Sequence, residues 1–260
     1  MDWAFLITLF LIGIGGSFIS AMTGLGGAII MVPALLYLPK SLGVGCLDMK
    51  QVAGITIAMV FTASLIGTFT HHQHKSVSKR LVLIMGITGF LTCFAGAYLS
   101  KFTKADFLLA VFAAMSVIAA IMMWIPRREQ GREVPANEVQ FNRVGAFLIA
   151  VVVGFVGGLV GAPGAYIFIP LMIYVLQIPT RVALGSTMGI VFISSVAGVL
   201  GKIFTSQVPY LATAAVVLGA IPGARLGGHF SHRVPVVLLR RFLAFIIGFA
   251  AIRMIYDVLT

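Results

Sequence analysis

Long apolar runs broken by short polar clusters dominate the chain, at residues 4–38, 51–70, 81–100, 105–125, 144–176, 182–201, 210–230 and 236–256. A helix rising 1.5 Å per residue needs about 20 apolar residues to cross roughly 30 Å of hydrocarbon. Six of the runs have that length and predict one crossing each. Runs 4–38 and 144–176 would make single helices of about 50 Å, too long for one bilayer. Each contains a glycine-rich interruption: Thr23-Gly24-Leu25-Gly26-Gly27 in the first and Gly161-Ala162-Pro163-Gly164 in the second. Each overlong run is therefore expected to be two helical pieces that fold back at the interruption, as a re-entrant hairpin or as two tight passes.

The two interruptions belong to an internal repeat. Phe18, Ala21, Gly24, Gly27, Ala28, Ile30, Pro33 and Tyr37 match Phe155, Gly158, Gly161, Gly164, Ala165, Ile167, Pro170 and Tyr174 at an offset of 137. From residue 50 the offset is 131, pairing Lys50 with Arg181, Gly54 with Gly185, Thr56 with Thr187, Ser64 with Ser195, Gly96 with Gly227 and Ser100 with Ser231. One longer loop after Pro39 accounts for the difference. The domain organisation is thus a first membrane repeat at 1–125, a basic linker at 126–143 containing Pro135 and Asn137, and a second membrane repeat at 144–260. Internal duplication is a common build for secondary transporters.

Composition sharpens the class. Of 260 residues 60% are apolar and 10% charged, with a mean hydropathy of +1.09. So few charges cannot coat a soluble globule of this size, which excludes a disordered chain and an ordinary soluble enzyme. The long unbroken runs also exclude the weak ten-residue alternation of a membrane β-barrel. The fold class is an all-α polytopic membrane protein. The net charge of +11 sits mostly in clusters between apolar runs, as topology determinants do, so it does not imply a nucleic-acid partner. The N-terminus has no basic n-region, so the first run is read as a retained membrane segment rather than a cleaved leader. Cys46 and Cys93 form no metal or disulfide pattern, and no cofactor motif is present.

The basic residues also decide how the halves are related. With a single first pass per half, the repeats are parallel and the 18 basic residues divide evenly between the two faces. With a fold-back, the repeats are inverted. One face then carries Lys75, Lys79, Arg80, Arg127, Arg128, Arg132, Arg143, Arg181, Arg225, Arg233, Arg240 and Arg241. The other carries Lys40, Lys50, Lys101, Lys104, Lys202 and Arg253. Only the inverted arrangement obeys the positive-inside rule. It predicts two inverted repeats in an inner membrane, each a broken first segment plus three spanning helices, with both termini periplasmic.

The break Gly24-x-Gly26-Gly27 followed by Pro33, its echo Gly161-x-Pro163-Gly164 with Pro170, and the stretch Val182-Ala183-Leu184-Gly185-Ser186-Thr187 resemble the TauE/SafE-type sulfite exporter family of membrane permeases. The resemblance covers nearly the whole chain. It implies an inner-membrane transporter that exports sulfite, sulfoacetate or related small anions. The chain departs from an even repeat at Gly54-Ile55-Thr56 against Gly185-Ser186-Thr187, which makes the first half less polar at that place.

Candidate chemistry follows from the breaks. Unwound backbone is tolerated at membrane depth only inside protein or beside a wet cavity. A helix starting just after such a break offers free N–H groups and its positive dipole end to an anion. Gly24, Gly27 and Ala28, with Gly161, Gly164 and Ala165, are the expected substrate contacts. The bland reading is that these glycines only allow close helix packing. The hydroxyls of Thr56, Ser186 and Thr187 lie in apolar surroundings and are expected to bond an oxyanion, against the ordinary fate of bonding back to their own helix. Arg225 follows Ile221-Pro222-Gly223-Ala224 within an apolar run, and its planar guanidinium suits a sulfonate or carboxylate. The competing role is a snorkelling charge near the membrane edge.

None of the acids falls centrally in a run. His71, His72, His74, His229 and His232 fall at run ends, where no intramembrane protease pairing of serine and histidine is formed. The expected partners are a small anionic substrate and the lipid bilayer, and the expected function is secondary transport by alternating access. An anion channel built on the same site is the alternative.

Overall fold

The computed structural model describes residues 3–23, 27–71, 77–124, 139–230 and 254. Among the described residues the secondary structure is helical throughout, without strands. The helices are α1 (Trp3–Thr23), α2 (Ala28–Ser41), α3 (Met49–His71), α4 (Lys79–Leu99), α5 (Ala105–Trp124), α6 (Arg143–Val160), α7 (Ala165–Tyr174), α8 (Thr180–Phe204) and α9 (Tyr210–Phe230), with a 3-10 turn at Ser100–Phe102 after α4. Seven of them are long and apolar enough to cross a membrane; α2 and α7 are the short ones. With 14 and 10 residues, they reach about 21 and 15 Å, short of a bilayer's hydrocarbon thickness. The expected run at 236–256 lies outside the described residues apart from Met254.

Local chemistry sets the helix starts. Asp48 and Gln51 form a reciprocal capping box at α3: the Gln51 N–H donates to Asp48 Oδ1 at 2.7 Å, and the Asp48 N–H donates to Gln51 Oε1 at 3.1 Å. Asn142 caps α6, accepting from the N–H groups of Val144 and Gly145. Both overlong apolar runs are interrupted where expected. In the first half α2 folds back along α1: a Cβ at Gly27 would stand 2.6 Å from Ser20 Cβ, one at Gly16 would stand 2.7 Å from Met31 Sδ, and one at Gly45 would stand 2.8 Å from the Phe5 ring. These partners move toward the chain start as the sequence advances, which is the register of an antiparallel hairpin. In the second half Gly164 lies against Val153 and Gly145 lies against Leu176, the same sense.

The repeat read in the sequence recurs in the elements. α2 and α7 begin 137 residues apart, and α3 and α8 begin 131 apart. α4 and α9 match at both ends at 131. Gly27 and Gly164, equivalent at 137, have φ of 58° and 74°. The equivalent helices also exchange partners. Gly96 of α4 packs on the Phe155 carbonyl of α6, and its counterpart Gly227 of α9 packs on the Phe18 carbonyl of α1. Contacts of α1 with α9 and of α4 with α6 are among the most extensive in the fold. Glycine allows such backbone approach between apolar helices, where packing rather than hydrophobicity drives association.

Near the middle, α3 packs against its own counterpart α8. A Cβ at Gly198 would strike Ile57, while Gly54 lies against the Gln207 carbonyl just beyond α8, so these two equivalent helices run antiparallel. Outside, Leu83, Ile87 and Leu91 of α4, Ile118 and Ile121 of α5, and Leu218 and Leu226 of α9 are exposed. An apolar outer face of this extent suits lipid rather than water.

Candidate functional site

The second break is packed into the protein. Every residue from Gly157 to Pro170 is buried. Gly161 ends α6 with φ 72°, and the Ala162 N–H donates to the Gly157 carbonyl at 2.8 Å. This is the left-handed C-terminal turn that glycine permits. Gly164, again left-handed, then starts α7, and its carbonyl accepts from the N–H groups of Ile167 and Phe168. The N–H groups of Ala165 and Tyr166 precede the first intrahelical bonds, as at any helix start. In the first half, Gly27 starts α2 in the same way, its carbonyl accepting from the N–H groups of Ile30 and Met31. Ala28 is buried at that start. Gly24 lies outside the described residues.

The structure joins the second break to α3. Gly161 lies directly on the backbone of Ala53. Thr56, one turn further along α3, is fully buried, and its Oγ1 has no hydrogen-bond partner among the described residues. A buried hydroxyl left unpaired costs about 1–3 kcal/mol, and Thr56 shares that state with Ser194 and Thr213 among the described residues. Its equivalent Thr187 follows the ordinary pattern, donating to the Ala183 carbonyl at 2.7 Å. Ser186 Oγ accepts from the Ser78 N–H at 3.1 Å and so ties α8 to the start of α4. Ser195 bonds back to the Phe192 carbonyl, whereas buried Ser194 Oγ is unpaired and faces Gly89 of α4. Thus the repeat-equivalent hydroxyls at 56 and 187 are not equivalent in bonding.

Arg225 is exposed on α9, between the glycines that pack that helix on α1. The partly buried setting that its apolar sequence neighbours suggest is not found. Of the histidines, His229 is exposed, and His72, His74 and His232 fall outside the described residues.

Counting charges by face missed one residue. Lys202, there a topology determinant, is fully buried in the last turn of α8. Its Nζ donates to Ser100 Oγ at 2.6 Å, to Gln207 Oε1 at 3.0 Å and to the Leu159 carbonyl at 3.2 Å. Leu159 is two residues before Gly161, so the ammonium touches the backbone entering the second break. The signal available in the sequence was the repeat itself: the offset of 131 that pairs Ser100 with Ser231 also pairs Lys202 with His71. The sequence therefore carries a basic residue and a serine at matching places in both repeats.

Comparison with known proteins agrees with this architecture. A model of the family described as "Sulfite exporter TauE/SafE" matches residues 9–254. The chain is 29% identical to the probable membrane transporter protein YdhB of Bacillus subtilis, covering 90% of this chain and 92% of that one. It is 25% identical to the probable membrane transporter protein YunE of the same organism, with 93% and 95% covered. A probable membrane transporter protein of Methanocaldococcus jannaschii is 22% identical over 94% of this chain and 91% of its own. No solved structure matches. With the family model spanning nearly its full length, this membrane chain belongs to the sulfite exporter TauE/SafE family of transporters.

Proposed function

We propose that the chain is a secondary transporter that exports small, sulfur-containing anions such as sulfite or sulfoacetate across an inner membrane, by alternating access of two inverted halves. The observation that carries the reading is the pair of equivalent left-handed breaks at Gly27 and Gly164, each opening a buried helix start. Helix N-termini at broken membrane helices present N–H groups and positive potential to anionic substrates. The antiparallel crossing of α3 on α8, and the exchanged pairs α1 with α9 and α4 with α6, support an inverted two-fold relation between the halves. Thr56, unpaired beside the second break, is the side chain we assign to the oxyanion, with the N–H groups at Ala28 and Ala165. The burial of the second break suits a carrier in a closed state.

The test is efflux of sulfite and sulfoacetate from proteoliposomes holding the purified chain, with acetate and phosphate as competitors. Saturable efflux of the sulfur anions supports the reading. Single-channel current would replace the carrier with a channel, and transport restricted to cations or neutral solutes would sink the reading altogether.

A further inference from the structure

We propose that Lys202, Ser100 and Gln207 form an anion-binding site at the mouth of the second break, and that it takes the sulfite or sulfonate group of the transported substrate. The inference rests on the anion-export reading above and names a charge for it.

The reasoning starts from what surrounds the ammonium. Lys202 is fully buried, and all three of its hydrogen bonds go to neutral oxygens, those of a serine, an amide side chain and a backbone carbonyl. Among the described residues none goes to a carboxylate. The ionisable groups that act on it are the Cys93 thiol of α4 and the ammonium of Lys50 on α3. Lys50 is itself a cation, held by the Lys101 carbonyl at 3.0 Å. Asp48, two residues before Lys50, caps α3 through Oδ1. A buried charge is expensive unless paired, and three neutral dipoles supply hydrogen bonds but no counter-charge. The C-terminal end of α8 contributes only about half an elementary charge. A merely structural clamp on the Leu159 carbonyl needs a donor, not a cation. As an ammonium, the group has no counter-anion among the described residues, and a bound anion would supply one.

The same residues supply the recognition chemistry. Ser100 Oγ and Gln207 are mutually bonded at 3.1 Å, and Gln207 Nε2 also donates to Thr205 Oγ1 at 2.9 Å. Turning the Gln207 amide over presents its NH₂ where its carbonyl oxygen now accepts from Lys202. Such a turn sets two donors against each other, so it needs an anion between them to accept from ammonium, hydroxyl and amide together. Gln207 sits in the short 205–209 connection between α8 and α9 and is half-buried, so it is the side from which an anion enters. Gly54, packed against the Gln207 carbonyl, seats that connection on α3 one turn or less from Ala53 and Thr56. The cation, the break and the unpaired threonine thus share one neighbourhood across the two halves.

The experiment titrates sulfite and methanesulfonate into the purified full-length chain by calorimetry, with melting temperature read in parallel. The wild type binds both. Lys202→Met weakens both by about ten- to hundredfold, the size of a charge-assisted contact, and holds or raises the melting temperature because a buried charge is removed. Gln207→Glu places a carboxylate beside Lys202, so it weakens both anions by a similar factor while raising the melting temperature; it gives the same reading should Lys202→Met fail to fold. If the wild type binds and Gln207→Glu binds equally well, Lys202 is a structural clamp and this site is rejected, with anion export left standing. If the wild type binds neither anion, the export reading fails and takes the site with it.

Discussion

Gly161 lies directly on the backbone of Ala53, so the break of the second half is seated on a helix of the first. The contact has no room for a side chain, and Gly161 holds φ 72°. Gly43 has a similar φ of 67° but open space around it. Alanine at either position bears the left-handed penalty of about 1–2 kcal/mol, and at 161 it must also push two backbones apart. Gly161→Ala is expected to lower the melting temperature in detergent clearly more than Gly43→Ala. Equal shifts would show that the seat on Ala53 is not tight.

Thr56 and Thr187 allow the hydroxyl assignment to be separated from stability. Thr187→Val gives up only a helix back-bond and is expected to change neither sulfite affinity nor stability by much. Thr56→Val removes a buried hydroxyl without a partner, so the melting temperature is expected to hold or rise by the equivalent of about 1 kcal/mol. Sulfite affinity, measured by calorimetry, is expected to fall about fivefold to tenfold. A Thr56→Val protein that binds sulfite like the wild type removes the hydroxyl from the site.

Much of the fold was legible because the membrane makes the pattern strict. Run lengths against bilayer thickness located α3, α4, α5, α8 and α9, and the two overlong runs with glycine breaks announced the α1–α2 and α6–α7 pairs. The shared offsets paired Gly27 with Gly164, and the two adopt one left-handed conformation. Side-chain environments were less legible. Lys202 and Arg225 both sit near the ends of apolar runs, and hydropathy treats them alike. Which one is buried depends on the rotational phase of α8 and α9 and on how the halves interlock, with α9 packing on α1 through Gly219, Gly223 and Gly227 and leaving Arg225 exposed. Thr56 and Thr187 differ for a related reason: a repeat conserves position, but among the described residues only Thr187 bonds back to the carbonyl one turn earlier.

The inverted arrangement proposed above has a direct topological consequence. With a fold-back in each half, the basic residues divide twelve to six between the faces, and the positive-inside rule assigns the richer face to the cytoplasm. A C-terminal reporter that fluoresces only in the cytoplasm is expected to stay dark, while the same reporter inserted in the basic linker at 126–143 is expected to be bright. A bright C-terminus would replace the inverted halves with parallel ones, and the antiparallel register of α3 on α8 would then need another explanation.

Arg225 and Lys202 compete for the role of selecting charge, and burial separates them. A guanidinium suits a sulfonate through its planar pair of donors, but Arg225 is exposed on α9, where water and lipid headgroups screen its field. A charge in that position suits a snorkelling role at the membrane edge. Lys202 is wholly enclosed beside the second break, where a lower dielectric strengthens its attraction for an anion. Arg225→Ala is therefore expected to change sulfite affinity by less than about threefold, against roughly ten- to hundredfold for Lys202→Met. Raising salt from low to moderate concentration is expected to weaken whatever small contribution Arg225 makes while leaving the Lys202 effect in place. The measurement is a sulfite titration of both variants at two chloride concentrations. A large, salt-resistant loss in Arg225→Ala would show that α9 turns this residue inward when the transporter is loaded, and the selecting charge would be the guanidinium.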